Sequence, residues 1–358
     1  MNRKNDLPRR RKSLTVADLA GELSMSSMTV SRALRGLPSV TPETRNRVIR
    51  LARSKGLEVG TQGSSVSRTA VFHMPERLLL EPDQHPFWSR LYFLFKRNLE
   101  QMGVAVLPVD LDKGMGRGQI DKAGVVAVFF SVGSLGKELL AGLRKDIPVV
   151  GILGGDFPCR IGVDHRAATE DLAERIASGG HRHIAVFGIP GGGVHSRGAS
   201  LQRSLLVKVR GIRVDFIHCA YHGQPRDKQD AFLEETLSKW LRKTDALPSV
   251  IYATDAYAAL SVWRFLRHTL RLDVPREMGL AGFDHSPVYD HIEPEITRIG
   301  FDVETFARFA ADQVFQIAQK GEAVPGVHEI SAQWVPGDSI LPFSKMKPRN
   351  LKEIRIRL

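Results

Sequence analysis

Apolar and polar positions along this chain follow two regimes, with the change near residue 69. Between 14 and 57 the apolar residues recur at helical spacing: Val16, Leu19, Ala20 and Leu23, then Val30, Ala33 and Leu34, then Val48, Ile49, Leu51 and Ala52. That spacing predicts three short amphipathic helices closing a miniature core. Their ends are marked in the sequence. Thr15 is a predicted N-cap, with Asp18 in the acidic slot of a capping box. Ser24-Met25-Ser26 is the turn, Ser26 caps the second helix, and Gly36 ends it. Thr41-Pro42-Glu43 opens the third helix, which Gly56 stops. On the second helix Ser27, Met28, Ser31 and Arg32 are left pointing outward, with Thr29 at the edge.

Beyond 69 the pattern becomes one of short β-branched runs separated by amphipathic stretches. Val104–Val109, Val125–Val132, Ile147–Leu153, His183–Ile189, Val250–Thr254 and Met278–Phe283 are the predicted strands. Continuous apolar runs of this length, each followed by Gly, Pro, Ser or Asp, indicate parallel sheets with crossover helices. Ligands of such sheets sit beyond the carboxyl ends of the strands.

Charge sharpens the division. Residues 1–68 hold 14 Lys and Arg against 5 Asp and Glu, a net +9 of the chain's +12. Residues 345–358 carry six basic residues and one acid, and the stretch between sums to −2. A basic segment attached to a near-neutral body is the footprint of a polyanion partner. A helix pair of this size in such a setting places its second helix in the major groove of DNA. Cys159 and Cys219 make no disulfide framework, no apolar run is long enough to span a membrane, and no apolar segment follows the basic N-terminus. A cytoplasmic location and no membrane partner are therefore expected.

The residues resemble one family over about 14–345. Thr29-Val30-Ser31-Arg32-Ala33-Leu34, followed by Ser39-Val40-Thr41-Pro42-Glu43-Thr44-Arg45-Asn46-Arg47-Val48, is similar to the headpiece of the LacI/GalR bacterial transcription regulators. Val163-Asp164 with Gly180-His181-Arg182-His183-Ile184, Thr254-Asp255-Ala256-Tyr257-Ala258, Val274-Pro275 with Gly282-Phe283-Asp284, and Pro294-Glu295-Ile296-Thr297 resemble later family motifs in the same order. The resemblance implies an all-α helix-turn-helix headpiece joined to a two-lobed α/β domain like that of periplasmic binding proteins. The expected organisation is a basic arm at 1–13, the helix-turn-helix domain at 14–58, a hinge at 59–68, the two-lobed effector and dimerisation domain at 69–345, and a basic tail at 346–358. One lobe would comprise about 69–171 with 301–330, the other 172–300 with 331–345.

By the same resemblance, Ser27 and Met28 choose bases and Arg32 offers guanine a bidentate fork. Thr15, Ser26, Thr29, Ser31, Arg45 and Arg47 are the remaining headpiece contacts to DNA, chiefly to phosphates, and Val66 is the hinge wedge in the minor groove. In the cleft, Arg197 would clamp ligand hydroxyls or carboxylates. Asp255 and Asp284, each closing a strand, would accept sugar hydroxyls, and Trp88 would stack on a sugar ring. Read without the resemblance, a strand-end Asp is equally a helix cap and a helix-start aromatic equally core.

The chain departs from the family pattern in several places. Gly63-Ser64-Ser65-Val66 is a poor helix former where the family folds a hinge helix, and Asp110–Asp121 is short and glycine-rich where a full helix is usual. Ser200-Leu201 replaces the Gly-aromatic pair after the clamping arginine, which keeps a non-sugar ligand, or none, open. His181 and His183 have ligand-like spacing without a Cys or carboxylate cluster, so no metal is expected, nor any cofactor or catalytic constellation. The tail is expected to be disordered. The function expected is a homodimeric, sequence-specific repressor of a pseudo-palindromic operator, modulated by a small sugar-like molecule. The alternatives are a DNA-binding regulator whose lobes are only a scaffold, or a solute-binding receptor.

Overall fold

The computed structural model describes residues 15–34, 40–55, 69–75, 86–114, 117–121, 123–129, 134–143, 147–188, 197–221, 224–284, 286, 289 and 291–355. The chain divides into two compact units, Met1–Ser67 and Arg68–Leu358.

In the first unit, helices α1 (Val16–Leu23), α2 (Ser27–Leu34) and α3 (Pro42–Ser54) follow the expected spacing. Leu19, Ala20, Val30, Ala33, Val48 and Ala52 are its buried core. Six small or branched side chains suffice because the helices are only two to four turns long. The capping box at Thr15 is present in full: Asp18 N donates to Thr15 Oγ1 at 3.3 Å, and Thr15 N donates to Asp18 Oδ2 at 2.7 Å. Ser24, at φ 53°, ends α1 in the left-handed region. Lys55 Nζ pairs with Glu22 Oε1 at 2.7 Å, tying the end of α3 to α1. The basic arm, Gly36, Gly56 and the hinge with Val66 lie outside the described residues.

The second unit holds two six-stranded sheets. The first contains β1 (Thr69–His73), β2 (Ala105–Val109), β3 (Val125–Phe129), β4 (Val149–Ile152), β5 (Cys159–Asp164) and β11 (Gly326–Ser331). Its order is β11-β5-β4-β3-β1-β2, all parallel. The second contains β6 (His183–Gly188), β7 (Arg213–His218), β8 (Val250–Ala253), β9 (Gly279–Phe283), β10 (Thr297–Gly300) and β12 (Gln333–Val335). Its order is β12-β10-β9-β8-β6-β7, and only β12 runs antiparallel to its neighbour. The crossover elements are α4 (Pro86–Gln101), α5 (Arg117–Ile120), α6 (Ser134–Ala141), α7 (Arg166–Ser178), α8 (Arg197–Lys208), α9 (Arg226–Lys243), α10 (Ala256–Arg264) and α11 (Val303–Lys320). Each lobe thus alternates strand and helix, the two-lobed architecture the resemblance implies.

The central strands are apolar throughout because helices cover both faces. All five residues of β3 are fully buried, and Phe72, Phe95 and Phe129 pack around one another under α4 with ring centroids 4.1–5.8 Å apart. Asp302 caps α11 through Thr305 N at 2.8 Å, and Gly321 at φ +73° ends it. The chain passes between lobes after Asp164, after Gly300 and at Ala332, whose N–H donates to Asp164 O at 2.7 Å. The first crossing therefore precedes the 171 boundary expected. One buried core cluster runs through both lobes, from Phe72 to Ile184 and Leu201. Between 110 and 121 the described residues form a 3-10 turn, Leu111–Lys113, and the single turn of α5, in place of a full helix.

The C-terminal expectation is corrected. Instead of a disordered tail, 346–355 packs on the second lobe and ends in a short helix α12 (Leu351–Arg355). Ile354 is fully buried and belongs to that lobe's core cluster, which also contains Leu270, Leu272 and Val274. Arg349 meets Glu277 through two hydrogen bonds of 2.8 Å, and Lys347 N donates to Arg276 O at 2.7 Å. A segment of this length has no helical stability of its own. It is held by burial of one isoleucine and a half-buried bidentate ion pair, neither visible in local sequence.

Candidate functional site

The headpiece presents one polar helix face. Ser26 sits at the N-cap of α2, where its Oγ accepts from Thr29 N at 3.0 Å and lies 2.8 Å from Thr29 Oγ1. With Val30 and Ala33 turned into the core, Ser27, Met28 and Arg32 are exposed, and Thr29 and Ser31 are half-buried. Met28 is 61 % exposed, an unusual outlay for a large apolar side chain in so small a unit. Thr41 caps α3 through Thr44 N at 3.3 Å, which sets Arg45 and Arg47 in its first turns. Arg47 is exposed and Arg45 half-buried. Thr15 is exposed, but its hydroxyl also donates to Asp18 Oδ2 at 2.7 Å.

In the second lobe, three of the four residues expected to bind an effector converge at the carboxyl ends of β6, β8 and β9. Arg197 opens α8 and lays its guanidinium over the Phe283 ring, 3.5 Å from the centroid. Its Nη1 donates to Thr254 O at 2.6 Å, and its Nη2 lies 3.8 Å from Asp284 Oδ1. Asp284 sits at φ 79°, and its Oδ2 is 3.4 Å from Ala256 N. Burial pushes the Asp284 carboxyl above the ordinary carboxylate range; Arg197 pulls it down, and the Asp255 carboxylate pushes it further up. Asp255 N-caps α10, accepting from Ala258 N at 2.8 Å, and Tyr221 OH donates to the same oxygen at 2.7 Å. Burial and the Asp255 carboxylate hold the Tyr221 phenol far above its usual range, so it stays a donor. Both readings of Asp255 as strand-end acid and as helix cap thus describe the same residue.

Phe283, His165, Tyr289 and Tyr221 at this end were not singled out as site residues from sequence. Phe283 is the platform for Arg197, and His165 at the lobe crossing meets it edge-on at 6.1 Å. Tyr289 OH donates to Phe283 O at 2.7 Å, fixing the strand end from below. Phe283 was legible as the residue before Asp284; Tyr221 follows β7, a strand whose charges obscured it.

Trp88 lies in the other lobe, in the first turn of α4. It packs edge-on against Phe87 at 4.7 Å, and Phe87 meets Phe301 edge-on at 6.1 Å. It is half-buried against the shared core. The glycine loop after Gly188 lies outside the described residues. His181 and His183 are engaged elsewhere: His181 lies 2.9 Å from Ser249 Oγ and 3.0 Å from Leu341 O, and His183 Nε2 lies 2.8 Å from Asp215 Oδ2. Among the described residues no group of three or more His, Cys, Asp or Glu is placed to hold a metal. No helix among them is long and apolar enough to cross a membrane.

Comparisons with known proteins bear on the fold that carries these residues. Residues 173–340 match the family model for a periplasmic binding protein-like domain. The chain is 24 % identical to the HTH-type transcriptional regulator GntR of Pseudomonas aeruginosa, over 85 % of this chain and 89 % of that protein. It is 25 % identical to the HTH-type transcriptional regulator CelR of Thermobifida fusca, over 84 % and 90 %. Among solved structures, the lac repressor dimer bound to operator and the anti-inducer ONPF superposes with a TM-score of 0.60 at 18 % identity, covering 92 % of this chain and all of that one. A transcriptional regulator CelR–cellobiose complex gives 0.58 at 20 % identity, over 91 % and 100 %. These structural likenesses establish the fold.

Proposed function

We propose that the chain is a LacI/GalR-family transcription regulator, a cytoplasmic, homodimeric repressor of a pseudo-palindromic operator, switched by a small polar molecule in the interlobe cleft. The carrying observation is the polar face of α2, with Ser27, Met28 and Arg32 exposed and Ser31 half-buried beside them, held by a separate core within a segment of net charge +9. Two such headpieces on a two-fold axis read two half-sites. Ser27 and Met28 meet base edges, and Arg32 reaches guanine O6 and N7. Ser26, Thr29, Ser31, Thr15, Arg45 and Arg47 hold phosphates, and Val66 touches the minor groove.

The effector half of the reading rests on Arg197, Asp255 and Asp284. They present a guanidinium fork and two carboxylates at strand ends, groups suited to the vicinal hydroxyls of a sugar or sugar acid. Trp88 supplies an aromatic edge from the other lobe. Two structural relatives point the same way, since the CelR structure holds cellobiose and a LacI-family structure from Enterococcus faecium holds ribose. Ligand closes the lobes, alters the spacing of the headpieces, and so couples to DNA with reciprocal effect. The chain is not an enzyme.

Selection of duplexes from a random pool, followed by footprinting, tests the DNA half. The expected result is one pseudo-palindrome protected on two half-sites. Enrichment of no sequence over the pool would overturn the proposal.

A further inference from the structure

The ordered tail builds a second basic surface. From 340 to 349 the chain zips along the second lobe: Arg175 Nη2 donates to Ile340 O at 3.1 Å, Phe343 N to Gly179 O at 2.8 Å, and Lys347 N to Arg276 O at 2.7 Å. The segments it joins, 175–182 and 271–277, lead into β6 and β9, so this surface borders the amino ends of those strands. In parallel strands that is the end away from Arg197 and Asp284.

Five cations are fixed there on ordered backbone with their side chains exposed: Arg182, Arg271, Lys345, Lys347 and Lys352. The acids on the same segments are largely spent. Asp273 is shared by Arg267 and Arg276 at 3.5 and 3.7 Å, Glu277 is held by Arg349, and Glu353 remains. Among the described residues none of the five cations has a carboxylate within 4.0 Å. Burial of Ile354 pins the tail that carries three of them, so the ridge is preorganised.

We infer that this ridge is a second, sequence-independent docking surface for the phosphate backbone of duplex DNA, separate from the headpiece. The inference rests on the reading of the chain as a DNA-binding regulator, which brings duplex to the protein. Unpaired cations on a fixed ridge neutralise phosphates and release counterions without reading bases. The operator-bound molecule then holds a second stretch of the same or another duplex.

The test uses the full chain carrying Arg32→Ala, Arg45→Ala and Arg47→Ala, titrated with a short non-operator duplex over a range of salt. Residual binding is expected, and adding Lys345→Gln, Lys347→Gln and Lys352→Gln should lower its salt slope by roughly 0.9 per lost contact, about 2–3 in all. The corresponding lysine-to-arginine triple should keep the slope. A slope indifferent to the glutamine triple, or no residual binding at low salt, overturns the inference. So does binding to phosphatidylglycerol vesicles without binding to duplex. Failure of the regulator reading is distinct, because there the wild-type chain selects no operator.

Discussion

Gly188→Ala is the substitution whose consequences the structure defines most sharply. Gly188 closes β6 at φ +152°, and an added Cβ would stand 1.8 Å from Thr254 Oγ1 and 3.0 Å from Thr254 Cβ. Two costs are separable. The backbone sits in a region reserved for glycine, worth about 1–3 kcal/mol. Overpacking against Thr254 adds roughly 1–3 kcal/mol more. Thr254→Ala removes Oγ1 and Cγ2 but keeps the Cβ 3.0 Å away, so it relieves most of the second cost and none of the first. The double variant should therefore recover about 1–3 kcal/mol relative to Gly188→Ala, a coupling typical of residues in contact. In thermal unfolding of the full chain each kcal/mol reads as roughly 2–4 °C. The two residues also flank the effector end, because Thr254 O receives Arg197 Nη1. Gly188→Ala should thus weaken any effector response more than its loss of stability explains, and the double variant should restore part of it. A Gly188→Ala chain that melts with wild type, or a double variant no more stable than the single, would refute the steric argument.

Other expectations follow from the same geometry. Arg32→Ala should cost about 1–3 kcal/mol at the selected operator and relax its sequence preference, whereas Arg45→Ala should weaken all duplexes alike and lower the salt slope by about 1; footprints over a salt series separate the two. Ile354→Ala should destabilise the second lobe by about 2–5 kcal/mol, readable as an earlier thermal transition, and no change would mean the tail is not part of the core. Asp284 is an acid whose folded pKa is raised, so its stability contribution is fullest below the ordinary carboxylate range and is lost as pH rises through the folded value. Asp284→Asn, which can still accept from Ala256 N, should accordingly be more stable than wild type at neutral pH. That advantage should shrink as the solution is acidified, and a constant gap in urea unfolding across pH would contradict the burial argument.

What the sequence disclosed depended on how local the signal was. The headpiece was readable to its caps, because Thr15, Ser26 and Thr41 act within three residues of themselves. The central strands β3, β4, β6, β8 and β9 were readable because burial on both faces makes them continuously apolar. Of the six strands passed over, β5, β7, β10 and β11 carry charge, whereas β1 (TAVFH) and β12 (QWV) do not. β7 (RVDFIH), β11 (GVHEIS) and β12 are sheet edges, and β5 (CRIGVD) lies next to one. β10 hides an arginine: Arg298 is buried, its guanidinium 5.1 Å over the Tyr289 ring and its Nη1 donating to Ile296 O. The tail was misread for a related reason, since Ile354 and Arg349 find their partners some 70 or more residues away in sequence. At the candidate site, Arg197, Asp255 and Asp284 were found because each closes or follows a strand. Tyr221 and the Phe283 platform needed the fold.

The central claim is that effector and operator share one molecule and alter each other's affinity. It is tested most directly by fluorescence anisotropy on the selected operator, titrated with the chain in the absence and presence of a panel of sugars, sugar acids, sugar phosphates and nucleosides. One compound should shift the operator affinity, operator should shift the affinity for that compound by the same factor, and Arg197→Ala should abolish both shifts while leaving operator binding intact. A tight operator complex indifferent to the whole panel, with Arg197→Ala indistinguishable from wild type, would contradict that claim.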